Sequence, residues 1–251
     1  MKISIITIVY NNAEAITEAI QSVLSQEYND IEYILIDGGS NDGTQNAITP
    51  YLDQIDYYIS EPDTGLYNAL NKGIQVATGE VIGVLHSDDL LYANDTVSKV
   101  AQTFKSQEAD IVYADGIYVA KEDINQIKRI YPGKPYKKRY LYWGWIPLHT
   151  TMYVKKEVFD THGLYDESYM IASDYDSSLR WFKDDQIKKV YLNERVVKMR
   201  LGGKSTTTAL QKKKSSEDLH IIKKHNLSGV FTLSLKILRK IPQYLLPKLI
   251  N

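Results

Sequence analysis

The feature that most constrains this chain is a unit repeated through residues 1–90: an apolar, β-branched run that ends abruptly in a polar turn and opens into an amphipathic helix. Met1 to Tyr10 reads as a first buried strand. Asn12 then caps a helical pattern whose apolar positions, Ile16, Ala19, Ile20, Val23 and Leu24, form the face of a helix packed on a sheet. A strand from Ile31 to Ile36 runs into Asp37-Gly38-Gly39-Ser40-Asn41-Asp42-Gly43-Thr44, a glycine-rich turn into another helix. Ile55 to Ile59, the loop Ser60 to Gly65, the helix Leu66 to Ala77 and the strand from Val81 repeat the unit. Such alternation predicts an α/β fold with a mostly parallel central sheet flanked by helices.

The stretch Val81-Ile82-Gly83-Val84-Leu85-His86-Ser87-Asp88-Asp89 delivers two adjacent carboxylates to the carboxyl edge of that sheet, where open α/β folds place their ligands. Like charges side by side stay ionised most easily with a divalent cation or several donors between them, and a hard cation prefers oxygen ligands. The plainer reading is that Ser87-Asp88-Asp89 caps a following helix. The glycines after Asp37 allow close approach of backbone to a ligand, but neither a Gly-x-Gly-x-x-Gly fingerprint nor a P-loop is present.

Zero cysteines exclude disulfides, thiolate metal sites and a cysteine nucleophile. Polar residues follow Tyr10 too soon for a signal peptide, and no apolar run reaches the ~18 residues of a membrane span. A cytoplasmic protein is expected. The net charge of −1 hides a split: residues 1–120 carry 4 Lys+Arg against 18 Asp+Glu, and residues 121–251 carry 26 against 13. The second half is therefore expected to face something anionic.

Beyond residue 116 the pattern changes. Tyr113 to Val119 and Ile127 to Tyr131 read as short strands, and Tyr131 to Trp145 as a basic, aromatic loop suited to single-stranded nucleic acid, to sugars or to a membrane interface. His149 is a lone histidine, structural or functional. Asp174 opens a helix at Ser177 to Phe182, where an Asp is ordinarily a cap. Ser177-Ser178-Leu179-Arg180-Trp181 ends like the Gln-x-x-Arg-Trp motif of processive polysaccharide synthases, but lacks the Gln. Arg200-Leu201-Gly202-Gly203-Lys204-Ser205 has the composition of a phosphate-contacting loop. In the basic tail, Val230 to Ile241 reads either as an interfacial membrane helix or as a helix docked on the domain.

Taken in order, Ile8-Val9-Tyr10-Asn11-Asn12, Ile36-Asp37-Gly38-Gly39-Ser40, Ser60-Glu61-Pro62-Asp63-Thr64-Gly65, Asn68-Ala69-Leu70-Asn71-Lys72-Gly73, Ala77-Thr78-Gly79-Glu80 and Ser87-Asp88-Asp89 closely resemble family-2 glycosyltransferases of the bacterial surface-polysaccharide type. The resemblance implies a nucleotide-diphospho-sugar transferase fold over residues 1–210, divided into a nucleotide-sugar half (1–116) and an acceptor-side half (117–210), followed by a basic amphipathic helical tail (211–251). It implies inversion at the anomeric carbon and Mn2+ or Mg2+ held by Asp88 and Asp89, with His86 where many relatives carry a leading Asp. It implies donor contacts from Thr7, Tyr10, Asp37, Asp88, His149 and Lys204, and a catalytic base at Asp174. Many relatives have a second Asp where this chain has Gly38. The expected partners are a nucleotide-diphospho-sugar donor, a glycan or lipid-linked glycan acceptor and a membrane surface met by the tail, with no nucleic acid; a homodimer through the tail is compatible. The rivals are a sugar-phosphate nucleotidyltransferase, which would need a glycine-rich activating loop after the first strand, and a non-catalytic sugar-nucleotide or nucleic-acid binding module.

Overall fold

The computed structural model describes residues 1–202 and 208–247. Its core is one twisted sheet in the order β3-β2-β1-β4-β8-β6-β9-β5, with β7 pairing antiparallel to the later part of β6, past the residues that pair with β8. The strands are β1 (Ile3–Val9), β2 (Ile31–Asp37), β3 (Tyr57–Ser60), β4 (Val81–His86), β5 (Leu90–Leu91), β6 (Ile111–Val119), β7 (Ile127–Tyr131), β8 (Tyr153–Lys155) and β9 (Lys189–Arg200). The helices are α1 (Ile16–Leu24), α2 (Thr44–Ile48), α3 (Leu66–Val76), α4 (Thr96–Gln107), α5 (Arg139–Tyr142), α6 (Lys156–His162), α7 (Ser173–Lys183), α8 (Thr208–Lys224), α9 (Gly229–Leu238) and α10 (Lys240–Leu245).

β3, β2, β1 and β4 pair parallel, as the sequence predicts: β2, β1 and β4 are largely buried, β3 is the half-exposed edge, and each is reached through a helical crossover. β1 is apolar or small at every position and wholly buried. Beyond β4 the sheet becomes mixed: β8 joins β4 and β6 antiparallel, while β6 and β9 pair parallel with register shifts near Asp115. α3 lies close on the sheet because Gly73 leaves room; a Cβ there would stand 2.5 Å from Ile6 Cγ2. One apolar cluster holds α3, α6 and α7 against one sheet face, and a second holds α1 and α4 against the other.

α8 is built into the first of these clusters through Ile221 and Ile222, both fully buried. No described helix is long and apolar enough to cross a membrane.

Candidate active site

Three strand ends and two later segments meet at the carboxyl edge of the parallel strands. At the end of β1, Asn11 takes a left-handed backbone (φ 50°), its N–H donating to Ser40 Oγ at 2.8 Å while its side-chain oxygen accepts from Asn41 N at 2.9 Å. Asparagine tolerates that backbone better than most residues. Asn12 ties the same loop to β4 by donating from Nδ2 to Ser87 Oγ at 3.0 Å. Tyr10 stands half-exposed on this rim.

Two residues expected at the donor lie inside the protein. Asp37 is fully buried, and its two oxygens accept from Ser40 Oγ and Ser60 Oγ, each at 2.5 Å. It therefore shapes the Gly38-Gly39-Ser40 turn from within. Thr7 is also fully buried, and its hydroxyl accepts from Tyr33 OH at 3.2 Å in the middle of β1. At Gly38 a Cβ would meet Asp63 Oδ2 at 2.4 Å, so the Asp63 carboxylate fills the space that a side chain at position 38 would take. Lys204 lies outside the described residues.

Ser87-Asp88-Asp89 does not cap a helix: it runs directly into β5, and the next helix, α4, begins at Thr96. β5 pairs with β9, which brings Arg200 back across the chain. Its backbone N–H donates to Asp89 Oδ1 at 3.3 Å, and its guanidinium donates to Asp88 O at 3.2 Å and bridges to Glu18. Asp89 Oδ2 is buried with no hydrogen-bond partner. Burial, and then the neighbouring Asp88 charge, push the Asp89 carboxyl well above the usual carboxylate range. A buried carboxylate oxygen without a partner is costly unless a proton or a cation satisfies it. Hard oxygens on adjacent residues fit Mg2+ or Mn2+. No group of three His, Cys, Asp or Glu is gathered among the described residues, so Asp88 and Asp89 would hold such an ion only together with oxygens from a ligand or water.

A second constellation faces this edge. Asp174 lies in the first turn of α7, a helix that starts four residues earlier than the sequence pattern indicates. Its Oδ1 accepts from Tyr67 OH at 2.9 Å, and its Oδ2 pairs with His149 Nδ1 at 3.2 Å. His149 Nε2 lies 3.0 Å from His86 Nε2. A carboxylate on Nδ1 fixes hydrogen there, so in a neutral His149 ring Nε2 is the acceptor and His86 Nε2–H the donor. Burial, and then His149, lower His86 to about 3, with Asp174 opposing, so it stays neutral near pH 7. Burial alone would raise the Asp174 carboxyl, but the His149 contact and the charges of Lys214 and Lys236 hold it well below the usual range. The same carboxylate, after burial, keeps the Tyr67 hydroxyl far above its ordinary value. Asp174 is thus an ionised carboxylate, half-buried and aimed by two donors. Of the expected site residues, the fold gathers Asp174 and His149 around His86, carries Asp88 and Asp89 on the strand end that follows it, and sets Tyr10 on the adjoining rim.

Sequence reasoning missed three contributors. Tyr67 lies on the helix expected over Leu66 to Ala77 and His86 in the stretch Val81 to Asp89, but nothing in the sequence assigns either a role in holding Asp174. Glu217 on α8, nearly buried, accepts from the backbone N–H groups of Met170, Ile171 and Ala172 at 3.0, 2.9 and 3.0 Å, fixing the segment that leads into Asp174. Only its isolation as one of two acids in a run of lysines could have flagged it.

Residues 4–163 match the family model described as Glycosyl transferase family 2. The chain belongs to that family. Among curated relatives, an uncharacterized glycosyltransferase of Rickettsia typhi is 33% identical over 225 residues, covering 86% of this chain and 70% of its own. A PGL/p-HBAD biosynthesis glycosyltransferase of Mycobacterium bovis is 30% identical over 209 residues, covering 81% and 79%. Among solved structures, TarS of S. aureus superposes with a TM-score of 0.68 at 16% identity over 91% of this chain, which spans 40% of that longer one. A mannosyltransferase from Pyrobaculum calidifontis in complex with GDP-Man and Mn2+ gives 0.67 at 16% identity, covering 94% of this chain and 73% of its own. These two establish a shared fold, the nucleotide-sugar transferase architecture. As a family-2 member this chain is a glycosyltransferase.

Proposed function

We propose that this chain is an inverting glycosyltransferase that moves one sugar from a nucleotide-diphosphate donor to a hydroxyl of a glycan acceptor, a lipid-linked intermediate of cell-surface polysaccharide, on the cytoplasmic side of a membrane. The observation that carries it is Asp174, ionised and aimed by Tyr67 and His149 beside the strand end that bears Asp88 and Asp89. A base on one side of a site and carboxylates suited to a cation on the other are what a single displacement needs.

Asp174 accepts the acceptor hydroxyl's proton as its oxygen bonds to the anomeric carbon from the face opposite the diphosphate. The bond from that carbon to the diphosphate oxygen breaks, and its electron pair leaves with the nucleoside diphosphate. Mn2+ or Mg2+ on Asp88 and Asp89 would neutralise charge on the leaving group. Tyr67 and His149 keep Asp174 pointed at the acceptor, while His86 locks the His149 ring. Tyr10 lines the nucleotide side, Lys204 is assigned a phosphate contact, and Thr7 and Asp37 act at one remove by shaping strand and turn.

Known proteins of this kind support the reading. One TarS structure is a complex with UDP and another with UDP-GlcNAc, and the Pyrobaculum calidifontis mannosyltransferase is a complex with GDP-Man and Mn2+. The mycobacterial relative is named for PGL/p-HBAD biosynthesis. The test is Asp174→Asn: transfer is expected to fall by at least about a hundredfold, within the span usual for a general base, with donor affinity nearly unchanged. Retained turnover would remove Asp174 as the base.

A further inference from the structure

The last two helices are amphipathic in the reverse sense. α9 and α10 meet at Arg239, and along both of them Val230, Phe231, Ile237, Leu238, Ile241 and Leu245 are turned to solvent. Exposed positions recur at three and four residues, with Ser234 between Phe231 and Ile237, so the apolar ones lie on one face. The polar side chains point inward instead. Thr232 is fully buried and donates to Tyr142 O at 2.8 Å, Gln243 accepts from Arg129 Nε at 2.8 Å, and Lys236 Nζ donates to Asp218 at 2.8 Å while lying 3.2 Å from the Tyr175 ring centre. A surface helix of a water-soluble domain does the opposite, and a contiguous apolar stripe, unlike scattered exposed residues, marks an interaction surface.

What covers this stripe is indicated by its border. The C-terminal end of α5, with Tyr142 and Trp143 both exposed, lies along α9, Thr232 donating to Tyr142 O and Arg239 to Gly144 O, each at 2.8 Å. Arg139, exposed, lies 5.4 Å from the Trp143 ring, and Lys240, partly exposed, stands on α10 itself; Arg129 is buried beneath the stripe, 5.1 Å from the ring of Tyr244, which is exposed. Lys214 and Arg129 are close enough to Lys240 to help lower its pKa after burial. An apolar stripe with flanking Trp and Tyr and a cationic rim is the composition of a surface that rests in the headgroup region of an acidic membrane. Two copies pressed stripe to stripe would bring their cationic rims together as well, which lipid phosphates would neutralise and a second copy would not.

We propose that the α9–α10 stripe, with Trp143 and Tyr142, docks this protein on an anionic phospholipid surface. This deepens the lipid-linked-acceptor reading: Lys214 and Lys236, at this end of the molecule, are the same cations whose charges reach Asp174, so docking here would hold the base near the lipid surface. Lipid binding itself needs neither donor nor acceptor.

The test is co-sedimentation of the full chain with vesicles of phosphatidylcholine alone and of an equal mixture with phosphatidylglycerol, read alongside tryptophan fluorescence. Of the three tryptophans, Trp145 and Trp181 are buried, so a shift reports Trp143. The mixed vesicles should bind the protein, shift its emission to the blue and allow quenching by bromine-labelled chains. The double variant Phe231→Ser with Ile241→Ser should lower the partition coefficient by at least about tenfold, from lost apolar burial. Both sites are exposed, so the variant should fold, and its nucleotide affinity should match the parent; that titration fails or succeeds independently of the vesicle result. No binding to mixed vesicles would overturn the proposal. So would binding that the double variant leaves intact, which would be due to surface charge alone, or a dimer in solution that the double variant dissociates.

Discussion

Glu217→Ala is expected to cost both stability and turnover, although Glu217 touches no substrate. The carboxylate is 7% exposed and accepts three backbone amides from consecutive residues, Met170 to Ala172, which lead into α7. Hydrogen bonds to a charged acceptor contribute about 1.5–3 kcal/mol each, and bonds sharing one acceptor do not add in full, so the loss should be about 2–4 kcal/mol. Glu217→Gln keeps one acceptor oxygen but turns an NH2 toward an N–H, and should fall between the parent and Ala. Denaturant unfolding reads the stability as a lower midpoint at unchanged slope. Because the freed segment carries Asp174, slow transfer of the donor sugar to water should lose kcat while donor affinity holds. A stability change below about 0.5 kcal/mol, the range of ordinary surface substitutions, would refute the reasoning.

Other consequences follow from the same geometry. Tyr67→Phe removes one of the two donors on Asp174 and should lower kcat by about tenfold, the worth of one net hydrogen bond, with donor affinity unchanged in a titration. Gly73→Ala should destabilise the protein by about 1 kcal/mol in denaturant unfolding, because crowding Ile6 costs ~1–3 kcal/mol against a helix-propensity gain of ~1 kcal/mol. Glu32 gives a pH dependence. Burial would raise its carboxyl, but hydrogen bonds from Ser4, Thr78 and Lys2 lower it from 4.5 to about 2. The folded state therefore takes up this proton at lower pH than the unfolded chain, so the contribution, at most about 3 kcal/mol, is complete above pH 4.5 and is lost as pH falls toward 2. Glu32→Gln should flatten that acid limb of stability.

The parallel half of the fold was legible because strands buried on both faces must be largely apolar, as Ile3–Val9 and Val81–His86 are, and their crossover helices must carry one apolar face. The position of Asp88 and Asp89 at a strand's carboxyl end follows from the same pattern. What could not be read is what long-range packing creates. β9, with Lys, Asn, Glu and Arg along its length, lacks an apolar run, yet it is the strand that returns Arg200 to Asp89, 111 residues away. No local signal pairs His86 with His149 or aims Glu217 at the segment before α7. Burial of Asp37 and Thr7 was equally hidden, since a polar residue in a strand or at its end looks the same in sequence whether it faces a ligand or is held by Ser40, Ser60 or Tyr33. The basic aromatic loop divides: Trp145 is core, while Tyr142 and Trp143 are surface. The apolar pattern of α9 and α10 was visible, but which face pointed inward was set by Thr232, Lys236 and Gln243 finding partners.

The most direct test of the central claim is calorimetric titration of the full chain with UDP, GDP and dTDP, in Mn2+ and again in EDTA. One of these nucleotides should bind in Mn2+ and lose most of its affinity in EDTA and in Asp89→Ala, while Asp174→Asn binds it as the parent does. Failure of a folded protein to bind any of them, or equal binding by Asp89→Ala with and without metal, would contradict the account.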